Sequence, residues 1–316
     1  MPLSPTTEAH LMTIPLLIDT DPGVDDAIAI WLALASPEIE IIGLTAVLGN
    51  GPVGPCAENA IRILDVFGRS DIPVHVGAAQ PLTRSYARKG WGVHGVDGLG
   101  GIGLAAPSRK VDGEDAVGWM ASVLAKAVPG SITLAPLGPL TNIAKLLQNH
   151  PQAKRGIKEM IVMGGATRPG GGNATPHAEY NFWLDPEAAD IVCASGVPMT
   201  LVTIETARPV SATPARTARI AAAGSVVAGH VADLLRAYVH ESKADALFDP
   251  LVMVYLLRPD LFRLCHARFR VEIGESPRLG ALTWQPSVDK TPHRLLQAPD
   301  PDTIFDFLAE RLRRQP

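Results

Sequence analysis

The chain has 316 residues, of which 47% are hydrophobic and 19% are charged, and its formal net charge is −4. This composition is typical of a globular protein with a large core, and the absence of a basic run argues against nucleic-acid binding. No apolar run is long enough to span a membrane and no signal-peptide pattern is visible, so we expect a cytoplasmic protein without a membrane partner. The three cysteines fit no zinc spacing and are typical of a reducing compartment.

Apolar runs alternate with helical patterns along most of the chain. Residues 1–13 show neither pattern, so we expect a disordered extension there and a single domain over residues 14–316. Strands are predicted at 16–19, 39–48, 73–76, 132–135, 157–163 and 199–203. Helices are predicted at 25–35, 56–67, 114–127, 140–147, 186–194 and 302–313, and within 212–247. The alternation predicts an α/β fold with a doubly wound, mostly parallel sheet, to which residues 267–285 add two antiparallel strands.

Polar residues stand where the predicted strands end. Four carboxylates follow the first strand within eight residues: Asp19, Asp21, Asp25 and Asp26. Ligands of open α/β sheets bind beyond the carboxyl ends of the strands, so we expect these side chains on one rim. Carboxylates this close together stay ionised only when a cation or hydrogen-bond donors hold them. A hard divalent metal ion is the simplest occupant, and a solvated acidic turn is the alternative.

Two known kinds of site begin with aspartates at alternate positions, and neither fits well. In an EF-hand loop the glycine would not stand at Gly23, and Ile30 occupies a position where an acid is needed. In a haloacid-dehalogenase-like phosphatase, Asp19 would be the nucleophile and Asp21 the acid. That interpretation leaves the second aspartate pair without a role.

Residues 19–27, Asp-Thr-Asp-Pro-Gly-Val-Asp-Asp-Ala, closely resemble the signature of the inosine–uridine-preferring nucleoside hydrolases. Further motifs of that family follow in the same order: Gly49-Asn50, residues 93–101, Gly138-Pro139-Leu140-Thr141-Asn142, Met163-Gly164-Gly165, residues 172–181, residues 185–189 and Asp249-Pro250-Leu251. The resemblance implies a Rossmann-like homodimer or homotetramer that serves nucleoside salvage. Its substrate would be a small-molecule ribonucleoside, hydrolysed at the N-glycosidic bond to free base and ribose.

The resemblance also implies a bound Ca²⁺ ion. By position, its ligands would be Asp21, Asp26, Asp249 and the backbone carbonyl of Thr141. An all-oxygen set suits a hard cation. Asp25 matches the general base that takes a proton from the attacking water. Asp19 matches a residue that orients its neighbours, and a structural cap on the turn explains it equally well.

The reaction passes through an oxocarbenium-like ribose, which nearby anions stabilise. The residues that match ribose ligands of the family are Asn50, Asn173, Glu179 and Asn181, and Met163 matches an apolar contact beneath the sugar. For a single asparagine in isolation, a turn-stabilising role is the alternative. For the methionine at the end of a strand, the alternative is core packing.

The residues that would act on the leaving base differ in this sequence from the pattern of the family that it resembles. His94 matches a base-side histidine, with a loop position of no function as the alternative. Many members carry a histidine before the late aspartate, as acid for the leaving base, whereas this chain has Phe248 before Asp249. Phenylalanine cannot donate a proton, so leaving-group activation must come from elsewhere.

Two sources of that activation remain open. A proton donor on the helix above the site is one, with His240 or Tyr238 as the residue. The other is Trp91, which would stack on a purine and raise its basicity, although a role as loop anchor explains it as well. Phe248 and Trp91 together favour purine nucleosides.

Two other functions stay open on the sequence alone. A ribose-binding or regulatory protein with lost catalysis would not require Asp25 as a general base. A dehalogenase-like phosphatase would require magnesium and would leave residues 173–181 unexplained.

Overall fold

The computed structural model describes residues 13–86, 90–242, 246–289, 291–313 and 315, and for residues 241 and 242 it describes the backbone alone. The extension expected at 1–13 lies outside the described residues except for Thr13, so its disorder stays a prediction.

The described residues form one nine-stranded sheet with the order β3-β2-β1-β4-β5-β6-β9-β7-β8. The strands, in chain order, are β1 (Ile14–Thr20), β2 (Ile39–Ala46), β3 (Val74–Val76), β4 (Ile132–Pro136), β5 (Ile157–Met163), β6 (Met199–Val202), β7 (Leu264–Val271), β8 (Leu282–Pro286) and β9 (His293–Leu296). Pairing is parallel from β3 through to β9, whereas β7 runs antiparallel to both β9 and β8. The mostly parallel sheet with a small antiparallel addition is therefore confirmed.

Helices cover both faces of this sheet. In chain order they are α1 (Val24–Leu34), α2 (Val53–Val66), α3 (Ala116–Lys126), α4 (Thr141–Asn149), α5 (Tyr180–Leu184), α6 (Pro186–Cys193), α7 (Ile204–Ala207), α8 (Pro214–Ala221), α9 (Val226–Ser242), α10 (Pro250–Leu257) and α11 (Pro301–Leu312). Successive side chains of a strand point to opposite faces. Leu16 and Ile18 of β1 accordingly pack in one hydrophobic cluster and Leu17 in the other. Burial on both faces explains why these strands are continuously apolar.

The strand order reverses between β1 and β4. Strands β2 and β3 extend the sheet to one side of β1, while β4, β5 and β6 extend it to the other. In doubly wound folds, ligands bind in the crevice at this reversal, beyond the carboxyl ends of the strands. The acidic turn after β1 and the glycine-containing turn after β4 therefore lie at the place where a ligand site is expected.

The sequence patterns missed several short elements. Strand β9 has four residues and fills the space between β6 and β7, and a strand this short carries too little alternation to be identified. Helix α10 is apolar all round, because it is enclosed by the core, so it shows no amphipathic period. Between β3 and α3, the described residues 77–86 and 90–112 contain one short 3₁₀ turn at Gly92–His94 and otherwise form a long loop, which ends at an isolated bridge of Gly113 with His75.

Candidate active site

The turn from β1 into α1 is held by hydrogen bonds to the Asp26 carboxylate. Its Oδ1 accepts the Thr20 hydroxyl at 2.5 Å, and its Oδ2 accepts the Gly23 backbone N–H at 2.9 Å. Asp26 is the third residue of the helix, where a side chain can reach back to the residue that precedes the helix. Asp25 and Asp26 both lie in the first turn of α1, where the partial positive charge of the helix stabilises anions.

Asp21 is enclosed by backbone on two sides. Its Oδ2 accepts the Asn50 N–H at 2.7 Å. A Cβ atom at Gly49 would stand 1.8 Å from Oδ2 of Asp21, and one at Gly138 would stand 2.4 Å from Oδ1. Only glycine allows the turns after β2 and β4 to approach this carboxylate so closely. The absence of a side chain at Gly49 and Gly138 therefore leaves space for the Asp21 carboxylate.

Asp249 joins this cluster from a distant part of the chain. It directly precedes α10, and it is buried together with Asp25 and Asp26. One carboxylate oxygen from each of the three residues lies within 4.8 Å of the other two. The fold thus brings together carboxylates that the sequence keeps far apart.

The surroundings of these carboxylates disfavour their ionised forms. Burial, together with the charges of Asp26 and Glu179, raises the pKa of Asp25 to about 8. Burial and then neighbouring carboxylates also raise the pKa values of Asp21 and Asp249 well above the ordinary range. Oδ1 of Asp25 is buried and has no hydrogen-bond partner among the described residues. A buried set of oxygen ligands with an unpartnered acceptor fits a hard cation.

Asp19 takes part through Oδ1 in a network of hydrogen bonds between strands, while its buried Oδ2 has no hydrogen-bond partner among the described residues. Its Oδ1 accepts the Thr45 hydroxyl at 2.5 Å and the Asn142 Nδ2 at 2.8 Å. Asn142 also donates to the Ala46 carbonyl and accepts the Ala78 N–H. Burial raises the pKa of Asp19 to about 7. This geometry favours an orienting role for Asp19 over a direct one.

Thr141 does not present its carbonyl to the carboxylate cluster. The bond from the Ala144 N–H to the Leu140 carbonyl at 2.8 Å has already begun α4, so the Thr141 carbonyl is directed along the helix. Its hydroxyl donates to Asp185 at 2.6 Å. Leu137 follows β4 directly and precedes Gly138, the glycine against Asp21, and its carbonyl accepts Nδ2 of Asn181 at 2.7 Å. The rule that placed polar groups at strand ends also indicates Leu137.

Two of the expected ribose ligands are held at the ends of β4 and β5. Glu179 is buried, and it accepts the backbone N–H groups of Gly165 at 3.0 Å and Asn181 at 2.8 Å. Burial raises its pKa. Asn181 donates from Nδ2 to the Leu137 carbonyl at 2.7 Å and to the Met163 carbonyl at 3.3 Å. Met163 is itself buried.

The other two expected ribose ligands hold turns. Asn50 donates from Nδ2 to Oδ2 of Asp26 at 3.1 Å, which places its side chain among the carboxylates. Asn173 is exposed, and its Oδ1 accepts the Tyr180 N–H at 2.8 Å. Asn50 therefore lies at the carboxylate cluster, whereas Asn173 bonds the first residue of α5 from the preceding loop.

His94 is buried against the start of α1. Its Nδ1 accepts the Val24 N–H at 3.1 Å and lies 3.9 Å from Oδ1 of Asp25. Because Nδ1 accepts a hydrogen bond, the ring proton of the neutral imidazole is on Nε2. The ring stacks on Tyr238 with 5.7 Å between the ring centroids.

His240 and Tyr238 of α9 differ in burial, since His240 is exposed and Tyr238 is buried. Tyr238 is buried beside the carboxylates, and burial together with the charges of Asp25 and Asp249 raises its pKa well above the ordinary value. Two residues further along α9, a side chain points about 200° away around the helix. His240 is accordingly exposed, and its role as a proton donor to the base stays a prediction. Tyr238, the other residue considered on this helix, is the one at the site.

Trp91 packs within the protein. A Cβ atom at Gly51 or at Gly98 would stand 2.4 Å from an atom of its six-membered ring. The side chain is partly buried against the larger hydrophobic cluster, as is Phe248. This arrangement favours the loop-anchor interpretation of Trp91 over stacking on a base.

The sequence and the fold match one known family. The sequence model described as inosine-uridine preferring nucleoside hydrolase matches residues 16–306. The chain belongs to this family. It is therefore a nucleoside hydrolase, as the motifs of the sequence predicted.

Several relatives of this nucleoside hydrolase share nearly its whole length. The pyrimidine-specific ribonucleoside hydrolase RihA of an Enterobacter species is 37% identical over 95% of this chain and 98% of its own. A solved plant nucleoside hydrolase is 30% identical, covers 95% of this chain and 99% of its own, and superposes with a TM-score of 0.87. A purine-preferring ribonucleoside hydrolase from Gardnerella vaginalis is 27% identical over 95% and 98% of the two chains, with a TM-score of 0.85.

The contact between Gly138 and Asp21 predicts the effect of one added methyl group. We expect Gly138→Ala to displace the Asp21 carboxylate and to lower kcat/KM for ribonucleoside hydrolysis by about a hundredfold. Gly54→Ala is the matched control, because a Cβ atom at Gly54 would meet nothing within 4 Å. Steady-state assays on both variants, with folding checked by circular dichroism, test this. Equal activities of the two variants would contradict it.

The raised pKa values predict an unusual pH dependence of stability. Without a cation, these carboxyl groups bind protons more tightly in the folded than in the unfolded protein, so the free energy of unfolding falls as pH rises from about 4 to about 8. We expect the Tm of chelator-treated protein to be lower at about pH 8.5 than at about pH 5.5, and excess Ca²⁺ to remove most of this difference. Thermal unfolding at both pH values measures it. A Tm of the chelated protein that rises over this window would contradict the prediction.

Proposed function

We propose that this chain hydrolyses ribonucleosides at a calcium site and that Asp25 takes the proton from the attacking water. The observation that carries the proposal is the convergence of the buried Asp25, Asp26 and Asp249 carboxylates around the unpartnered Oδ1 of Asp25. A protein that only binds ribose would not need a buried carboxylate oxygen without a hydrogen-bond partner, because burying such a group costs free energy.

The oxygen groups at this edge fit Ca²⁺. In our proposal the ligands are Asp21, Asp26, Asp249 and the Leu137 carbonyl, with Leu137 taking the place first given to Thr141. The bound ion supplies positive charge, which favours the ionised carboxylates and lowers the pKa of a water molecule at the site. Thiol and imidazole groups, which softer metals prefer, are absent from this proposed ligand set.

Asp25 is suited to act as the general base. Its carboxylate lies beside the metal ligands, and its Oδ1 is not committed to another hydrogen bond among the described residues. Burial raises the pKa of Asp25 when no cation is present, and the positive charge of the bound ion would keep the carboxylate ionised and able to accept a proton. The first turn of α1 fixes its direction.

The sugar would lie on the ends of β4 and β5. There Glu179 and Asn181 are held by backbone hydrogen bonds, and Met163 offers an apolar surface beneath the ribose. Asn50 and Asn173 extend the polar surroundings from the neighbouring turns. Negative charge from several carboxylates favours the developing oxocarbenium ion.

His94 and Tyr238 would serve the departing base. The Nε2–H of neutral His94 is a donor, and the imidazole is stacked on the Tyr238 ring beside Asp25. Phe248 offers no proton, so in our proposal this stacked pair replaces the missing histidine before Asp249.

Pyrimidine ribonucleosides are the substrates that we favour. The purine interpretation depended on Trp91 stacking on the base, and that ring packs against Gly51 and Gly98. The bacterial relatives named as pyrimidine-specific share 36–41% identity with this chain, whereas the purine-preferring relative shares 27%.

The substrate proposal is tested with inosine, adenosine, guanosine, uridine and cytidine, each with and without a chelator. We expect ribose release from all active substrates to depend on Ca²⁺ and to be fastest with uridine or cytidine. Faster cleavage of inosine would restore the purine interpretation. Release of phosphate from a phosphate monoester, without ribose from any nucleoside, would favour the phosphatase alternative.

The role of Asp25 is tested by Asp25→Asn, which removes the base but keeps the shape. We expect kcat to fall by about a thousandfold, while Ca²⁺ binding, measured by calorimetry, persists. Asp233→Asn is the matched control, because Asp233 is an exposed acid of α9 that pairs with Arg236. Retained turnover in Asp25→Asn would remove Asp25 from the mechanism.

The homodimer or homotetramer and the cytoplasmic location stay predictions. Within the described part of the chain, the helices are all too short or too polar to cross a membrane.

A further inference from the structure

Tyr86, Tyr180 and Trp183 form an aromatic cluster beside the carboxylates. Tyr86 and Trp183 meet edge-on, with 6.2 Å between the ring centroids, and Tyr180 lies at the same centroid distance from Trp183. The three rings pack around the buried Val47, Leu48, Ala78 and Leu184. The cluster therefore joins the segment after β3 to the turn after β2 and to helix α5.

The hydroxyl groups of this cluster form successive hydrogen bonds, and the donor of each bond can be assigned. The Tyr180 hydroxyl donates to the Gly49 carbonyl at 2.8 Å, and the hydroxyls of Tyr86 and Tyr180 are 3.2 Å apart. A carbonyl only accepts, so the single proton of the Tyr180 hydroxyl is committed to Gly49. Tyr86 is consequently the donor in the bond between the two hydroxyls.

This series of hydrogen bonds continues through one peptide group to Asp21. The carbonyl of Gly49 and the N–H of Asn50 belong to the same peptide, and that N–H donates to Oδ2 of Asp21 at 2.7 Å. Bonds that follow one another in this way polarise each other, so a donor on the carbonyl strengthens the N–H as a donor. Two hydrogen bonds, one at each end, fix the plane of this peptide.

The precision of this peptide matters because Asp21 has little space. The Cα of Gly49 lies so close that an added Cβ would stand 1.8 Å from Oδ2 of Asp21. The next residue, Asn50, also donates from its side chain to Asp26. A rotation of the Gly49–Asn50 peptide would therefore disturb two of the carboxylates at once.

We propose that Tyr180 is a positioning residue that holds Asp21 for cation binding through the Gly49–Asn50 peptide, and that Tyr86 strengthens this effect. The part concerning the cation rests on the proposed calcium site. The part concerning the peptide stands on the hydrogen bonds alone. Tyr180 itself is placed by the bond from its own N–H to Asn173, so the proposal gives Asn173 a role in the same device.

The first experiment measures Ca²⁺ affinity by calorimetry on chelator-stripped wild type, Tyr180→Phe, Tyr86→Phe and Tyr255→Phe. Phenylalanine keeps the ring packing and removes only the hydroxyl. We expect about three- to tenfold weaker binding for Tyr180→Phe, the effect of one hydrogen bond, and a smaller loss for Tyr86→Phe. Tyr255 is the matched control, since it is buried edge-on against Phe262, away from the cluster. Equal affinities of Tyr180→Phe and wild type, or an equal loss in Tyr255→Phe, would overturn the proposal.

The second experiment needs no metal ion. In chelator-stripped, isotope-labelled protein, we expect the amide proton resonance of Asn50 to move upfield in Tyr180→Phe, because its hydrogen bond to Asp21 weakens. The Tyr255→Phe variant leaves that resonance in place. An unchanged Asn50 resonance in Tyr180→Phe would refute the relay even if the chain hydrolyses ribonucleosides. If wild type bound no Ca²⁺, the proposed metal site would be refuted instead. The Asn50 chemical shift would still test whether Tyr180 acts on the Gly49–Asn50 peptide.

Discussion

Crowding of negative charge at one edge of the sheet is the constraint on which this site depends. Asp21, Asp25, Asp26 and Asp249 are all buried there, and burial together with their mutual repulsion raises the pKa values of Asp21, Asp25 and Asp249. Donors from Thr20 and Asn50 and the start of α1 offset part of this repulsion. The remaining excess of negative charge is what fits this edge to a cation.

The topology of the sheet brings these groups together. Reversal of the strand order between β1 and β4 opens a crevice at the carboxyl ends of both strands. Glycines at 49 and 138 let the neighbouring turns approach Asp21, and α10 places Asp249 opposite them. Motifs from distant parts of the chain thus contribute to one group of carboxylates.

The departures from the expected site follow from local geometry. A carbonyl inside a helix is directed along the helix, and for this reason we propose Leu137 in place of Thr141 as the carbonyl ligand. Helical periodicity likewise leaves His240 exposed while Tyr238 is buried. The stacked His94 and Tyr238 lie beside Asp25, and Nδ1 of His94 is 3.9 Å from Oδ1 of that carboxylate.

The sequence by itself determined the α/β alternation, the mostly parallel sheet and the identity of the acidic turn, because apolar periodicity and the Asp19–Asp26 spacing are local properties. It also indicated that the strand ends share one rim. Only the tertiary structure decided that Thr141 lies inside α4, which residues of α9 are buried, and that Trp91 packs against glycines. It alone revealed the hydroxyl chain from Tyr86 to Asp21. These features depend on directions of side chains and peptides between distant segments, which packing sets and no local pattern encodes.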